Sequence, residues 1–269
     1  MQTAKIITMQ TRQERAVGGW LQHLKAAGRS DSTIRLRRVY VEQALASLDP
    51  FTATTQDFEQ WIVAHPQWSD ETTRAAISAL RGFFAWMQTH GLRADNPAAL
   101  LVQPRQPDPH PHPTPRNVYE AALAAADPKT HTLLRLLATT GLRRTEASQV
   151  HTRDLRGAWL TVAGKGKRVR QVPVPPDIAE AIAAADGWLF PGRVGGHVSP
   201  QWVTDTVRNA TGHSAHSLRH LFATTVWNAT GDLLAVQRLL GHVKAATTER
   251  YVLMDADRIA GAASAAWAA

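Results

Sequence analysis

The sequence predicts a mainly α protein with one small β-sheet, arranged as two blocks. Three observations lead there. Apolar residues recur at helical spacing through residues 1–102 and again through most of 116–269. Six prolines fall in "QPRQPDPHPHPTP", residues 103–115, and such a run cannot continue a helix but favours an extended, semi-rigid connector. One stretch only, "AWLTVAGKGKRVRQVPVP" (158–175), alternates as strands do. The blocks are therefore drawn as 1–103, a linker at 104–115, and 116–269.

In the first block, "ERAVGGWLQHLKAAG" carries Val17, Trp20, Leu21 and Leu24 on one face and stops at Gly28, so a helix is expected to begin near residue 10. "SDSTIRLRRVYVEQALASL" opens with capping residues and aligns Ile34, Val41, Leu45 and Leu48. Arg35 and Arg38 lie off that stripe, where they face either phosphates or only solvent. "TTQDFEQWIVAH" and "SDETTRAAISALRGFFAWMQTHG" supply two more helices, the second ending at Gly91, with Phe83, Phe84 and Trp86 as core. In the linker, His110 and His112 alternate with proline and read as solvated.

In the second block, Thr114 and Pro115 are expected as cap and first-turn residue of a helix through "RNVYEAALAAA". "KTHTLLRLLATTG" reads as a buried helix ending at Gly141, and the alternating stretch as two strands around a glycine-lysine turn. Further helices follow, among them "DLLAVQRLLGH", closed by Gly241. Tyr40 and Tyr119 fall on amphipathic helices and read as packing residues.

The formal charge of +8 and sequence pI of about 10.4 make an anionic polymer a reasonable partner. Residues 104–269 hold 19 Lys and Arg against 13 Asp and Glu, so the positive charge gathers in the second block. The chain has no cysteine, which excludes disulfides, thiolate nucleophiles and cysteine-based zinc sites. "MQTAKIITMQTRQERAV" lacks the apolar core of a signal peptide, and no stretch approaches the roughly 18 apolar residues of a membrane span. A cytoplasmic protein without a membrane partner is expected.

Several chemistries lack their residues. "GKGKR" has neither the Ser/Thr nor the glycine spacing of a P-loop. His216 and His220 stand four apart without a third zinc ligand, and the acidic residues form no two-metal cluster. What remains is a metal-free set of guanidinium, imidazole and lysine groups near Tyr251. Such a set suits phosphodiester cleavage. Guanidinium forks hold the developing charge, a lysine gives a proton to the leaving alkoxide, and a tyrosine stores the broken bond as an ester.

In order and spacing, "TGLRRTEA" (140–147), "GKGKRVRQVPV" (164–174), "HSLRH" (216–220), "LLGH" (239–242) and "TTERY" (247–251) resemble the boxes of tyrosine recombinases. These are the phage integrases and Xer-type site-specific recombinases. The likeness spans residues 115–252, and "HGLRADNPAALLVQPR" resembles the exit from the family's helical core-binding domain.

The resemblance implies a core-type DNA-binding domain at 1–103 and a catalytic domain with a tail helix at 116–269. It makes Arg143 and Arg219 the phosphate clamp, Lys165 the general acid and Tyr251 the nucleophile of a 3′-phosphotyrosyl link. Lys167 is the alternative acid and otherwise a DNA contact. His216 is implied as base or phosphate contact, His242 as a hydrogen-bond donor to phosphate, and Glu146 as the supporting carboxylate. Arg144 points about 100° from its neighbour on a helix, so it contacts DNA elsewhere if at all. His220 is left as a structural residue.

No cofactor is implied. The implied partners are double-stranded DNA at specific sites, three further copies in a tetramer and, as a further option, a directionality factor. A helix starting near residue 10 leaves no room for an arm-binding domain, which suggests a minimal phage integrase or a Xer-like enzyme, and the overall resemblance favours the phage integrase. The tail "VLMDADRIAGAASAAWAA" (252–269), with Ile259, Ala263 and Trp267 in line, is expected to dock on a neighbouring protomer. A type IB topoisomerase and a non-catalytic DNA-binding regulator remain alternatives.

Overall fold

The computed structural model describes residues 2–106, 112–164 and 168–241. It divides into two compact units, Met1–Asp108 and Pro109–Ala269. Among the described residues no helix is long and apolar enough to cross a membrane.

The first unit packs α1 (Gln2–Ala26), α2 (Asp31–Leu45), α3 (Thr55–Val63) and α4 (Asp70–Thr89). The expected start of α1 near residue 10 is wrong: the helix reaches back to Gln2. Residues 2–15 hold no glycine or proline to stop it. Ser30 and Ser69 cap α2 and α4, and Thr54 and Asp57 cap each other at the head of α3. Trp20, Phe58, Phe83 and Phe84 are fully enclosed. Trp20 meets Phe83 edge-on at 5.4 Å and Phe58 meets Phe84 at 5.0 Å. Gly19 lies inside α1 because a Cβ there would stand 2.9 Å from Trp86 Cη2, so glycine admits the indole of α4.

Two arginines that drew no attention in the sequence hold the exit from this unit. Arg93 donates to Pro50 O (2.9 Å) and Ala53 O (2.7 Å), and Arg81 donates to Ala98 O (3.2 Å) and to Leu101 O.

The second unit begins with α5 (Arg116–Ala125), α6 (Pro128–Thr140) and the single turn α7 (Arg144–Ala147). Strands β1 (Leu155–Arg156), β2 (Trp159–Ala163) and β3 (Val169–Pro173) follow as an antiparallel sheet in that order. Then come α8 (Pro176–Ala184), β4 (Pro191–Val194), α9 (Pro200–Thr211), α10 (Ala215–Thr230) and α11 (Leu233–Leu240). The expected strand pair is β2 and β3; β1 and β4 are too short to show alternation. Leu160 and Val172 pair across the sheet and both are buried.

Helix α6 is the buried axis, with Leu133, Leu134, Leu136 and Leu137 wholly enclosed. It ends at Gly141 in the left-handed conformation (φ +62°). A Cβ there would also overlap Phe222 and stand 2.9 Å from Leu240, so conformation and space both demand glycine.

Thr114 departs from expectation. Pro115 is the N-cap of α5 and makes no side-chain cap bond. Thr114 is instead fully buried, and its backbone N–H donates to Ser217 O at 3.1 Å. Tertiary contact with α10 has taken the residue from its local role.

Candidate active site

The site is organised around one buried carboxylate. Arg143 is the N-cap of α7 and Glu146 its third residue, so a three-residue spacing folds the pair onto each other. Arg143 N donates to Glu146 Oε2 and Arg143 Nη1 to Oε1, both at 2.8 Å. Arg170 reaches in from β3 with a two-pronged bond, Nη1 to Oε1 at 2.9 Å and Nη2 to Oε2 at 2.8 Å. Arg219 Nη1 stands 4.0 Å from Oε2. Three guanidinium groups thus surround a side chain that is 2% exposed. Burial pushes the Glu146 carboxyl up, but the bonds from Arg170 and Arg143 and their charges outweigh it and bring the group down to about 2. The carboxylate is ionised at every working pH.

Arg219 comes from α10 and is 1% exposed. Its Nη1 donates to Gly141 O at 2.5 Å and its Nη2 to Leu240 O at 2.6 Å. These bonds wedge the guanidinium between the ends of α6 and α11. A cavity of about 340 Å³ opens here, lined by Arg143, Arg144, Thr204, Ser214, His216 and Arg219. His216 lies one turn before Arg219 on α10, its ring edge-on to His220 at 4.9 Å. Partial burial, then the charges of Arg219 and Arg143, hold its imidazole below the usual histidine range. At neutral pH it can accept a proton.

The structure therefore brings Arg143, Glu146, His216 and Arg219 together. Arg144 stands at the cavity edge and donates to Thr204 Oγ1 at 3.1 Å. Arg35 and Arg38 are exposed on α2, where Arg38 pairs with Glu42 at 2.7 Å. Lys165, Lys167, His242 and Tyr251, with the tail, lie outside the described residues. Gly164, the described residue just before Lys165, lies beside Glu146. Gly164 N donates to Arg168 O at 2.7 Å, and a Cβ at Gly164 would be 3.4 Å from Glu146 Oε1. Tyr119 packs against the core of its unit, and burial pushes its phenol up, which suits packing and not nucleophilic attack.

Sequence reading missed Arg170, although a signal was present. Strand alternation sets Arg170 on the face of Val172, which is fully buried. An arginine on the core face of a strand needs an acid inside, and Glu146 is that acid.

Comparison with known proteins names the group to which this site belongs. Residues 114–258, more than half of the chain, match the model of the phage integrase family. The chain belongs to that family. It is a tyrosine site-specific recombinase, similar to proteins named tyrosine recombinase XerC. The one from Neisseria meningitidis serogroup B is 30% identical over 274 residues, spanning 90% of this chain and 91% of that protein. The one from Rhodospirillum centenum is 32% identical over 289 residues, covering 90% and 82%. Among solved structures, a lambda integrase dimer bound to a COC′ core site has the same fold at 16% identity. Its TM-score is 0.73, over 88% of this recombinase and 94% of that chain.

Proposed function

We propose that the recombinase cuts and rejoins duplex DNA at specific sites through a 3′-phosphotyrosyl link to Tyr251. The observation that carries this is the charge balance around Glu146. Three arginines share one carboxylate, and the cavity that two of them, Arg143 and Arg219, border is left positive. A phosphodiester supplies the missing negative charge. Arg143, the most exposed of the three at 34%, is the group free to reach a phosphate oxygen. Arg219 supports the same cavity from below with its fixed positive charge. His216, neutral and beside both, accepts a proton or donates to the phosphate. Lys165 or Lys167 protonates the leaving 5′ oxygen, His242 adds a hydrogen bond, and no metal enters the reaction.

Relatives named XerC at 30–32% identity over nine-tenths of the chain favour a Xer-type recombinase over a phage integrase. Solved relatives bound to a difH substrate and to a COC′ core site support site-specific DNA as the partner. On such sites four protomers act together in this reading, and the unit Met1–Asp108 adds grip on DNA through Arg35 and Arg38.

The test is covalent trapping in excess EDTA. DNA captured on the wild type in cells is sequenced, and its site is rebuilt as a nicked suicide duplex. Peptide mapping of the adduct is expected to identify Tyr251, and Tyr251→Phe is expected to bind the duplex without cleaving it. An adduct on Tyr40 or Tyr119, or dependence on added magnesium at constant ionic strength, would overturn the reading.

A further inference from the structure

Arg170 spends all three nitrogens of its guanidinium on other segments. Nη1 and Nη2 hold the two oxygens of Glu146, and Nε donates to Leu239 O at 2.9 Å. Its stem runs under Gly241, where a Cβ would lie 2.9 Å from Arg170 Cδ and where φ is +66°. The side chain thus joins β3 to a turn 24 residues earlier in sequence and to the end of a helix 69 residues later.

Each segment bears on the site. Glu146 Oε1 accepts from Arg170 and Arg143 alike, so the place of that oxygen sets where Arg143 Nη1 can rest. Arg143 is the more exposed partner, and a long side chain without a fixed anchor spreads over several rotamers. β3 begins at Val169, next to Arg168, whose carbonyl accepts from Gly164 N, and α11 ends before Gly241, which His242 follows in sequence.

We infer that Arg170 is a positioning residue for strand cleavage, locking Glu146, and through it Arg143, to β3 and to the end of α11. The inference rests on the reading of Arg143 as a phosphate-binding group. Arg170 does not itself touch DNA: it is 12% exposed and its nitrogens are committed to protein acceptors. Its loss should therefore change the rate and not the affinity. Lysine should not replace it, since an ammonium cannot span both carboxylate oxygens and the Leu239 carbonyl at once.

The test uses the full chain and the suicide duplex recovered from wild-type adducts. Single-turnover cleavage at saturating protein, DNA affinity and thermal melting are measured side by side. Arg170→Gln and Arg170→Lys are each expected to cleave about a hundredfold slower, as misplacement by an ångström does, with Kd within about threefold of wild type. The low-pH limb of cleavage should also move upward, because Glu146 loses its main hydrogen-bond donors.

Arg170→Gln leaves a buried carboxylate short of partners and can cost the fold, so Glu146→Gln and the double variant Glu146→Gln with Arg170→Gln are measured too. It removes the buried charge pair and should cleave no more than about threefold slower than the worse single variant, because both changes break one linkage. Wild-type cleavage by a folded Arg170 variant, affinity falling as far as rate, or fully multiplicative losses in the double variant would each overturn the inference. Where the wild type forms an adduct, such results overturn this inference alone. A wild type that forms no adduct overturns the phosphate reading of Arg143 and this inference together.

Discussion

The two units use buried arginine in opposite ways. In the first, Arg81 ends on backbone carbonyls of the exit segment and Arg93 on those of the loop between α2 and α3, and Asp95, which pairs with Arg93 at 2.6 Å, stays 63% exposed. Charge there is settled at the surface, and the arginines serve as staples for a loop. In the second, Arg143, Arg170 and Arg219 converge on one carboxylate that water does not reach. The difference teaches where function sits. Arginines that serve only stability disperse their charge over carbonyls and a surface acid, whereas the candidate site keeps an unbalanced positive cluster.

The sharpest way to break that comparison is Glu146→Ala. It strips the acid from the cluster and should cost about 3–5 kcal/mol of stability, the usual penalty for leaving a buried charge unpaired, as read by urea unfolding. In wild type the same group makes stability pH-dependent. Its folded pKa is lowered to about 2, so its contribution is present above about pH 4.5 and is lost as pH falls toward 2. Glu146→Ala should flatten acid unfolding across that window. A variant as stable as wild type would mean that the cluster is no more strained than the staples of the first unit.

Arg143→Gln separates function from stability. It should slow cleavage of the suicide duplex about a hundred- to a thousandfold, comparable with removing one transition-state hydrogen-bond donor, while the melting temperature moves little. Arg93→Met is the matching change in the first unit. It should cost about 1–3 kcal/mol from carbonyls left unpaired and leave the chemical step, once DNA is bound, unchanged. If Arg93→Met slows single-turnover cleavage as much as Arg143→Gln, the division of labour between the units is wrong.

The smallest expected effect is at His216. Its pKa in the DNA-free protein should lie below the usual histidine value by NMR titration. It should rise partway in Arg143→Gln, since burial, the larger cause, remains. An unchanged value in that variant would show that Arg143 does not sense the imidazole.

Much of this was legible in the chain. Stop signals such as Gly28, Gly91, Gly141 and Gly241 were read from the helical pattern before them, and each has positive φ in the structure. The aromatic core of the first unit and the buried run Leu133–Leu137 were equally plain, because burial follows periodicity. The box pattern supplied Arg143, Glu146, His216 and Arg219, and the first two meet within a single turn, where sequence spacing is spatial spacing.

Other features could not be read locally. The head of α1 was placed too late, since side-chain periodicity fades before a helix does. Thr114 looked like a cap, but its fate depended on α10, a hundred residues away. Arg170 and Arg219 declare their roles only once β3, α10 and α11 are packed against α7. The sequence by itself determined the elements, their stops and the residue types of the site, because these are set by near neighbours along the chain. Tertiary structure alone decided which carbonyls and which carboxylate each arginine would meet. A buried guanidinium must find its acceptors wherever the fold brings them, and for Arg170 and Arg219 they lie 21 to 78 residues away.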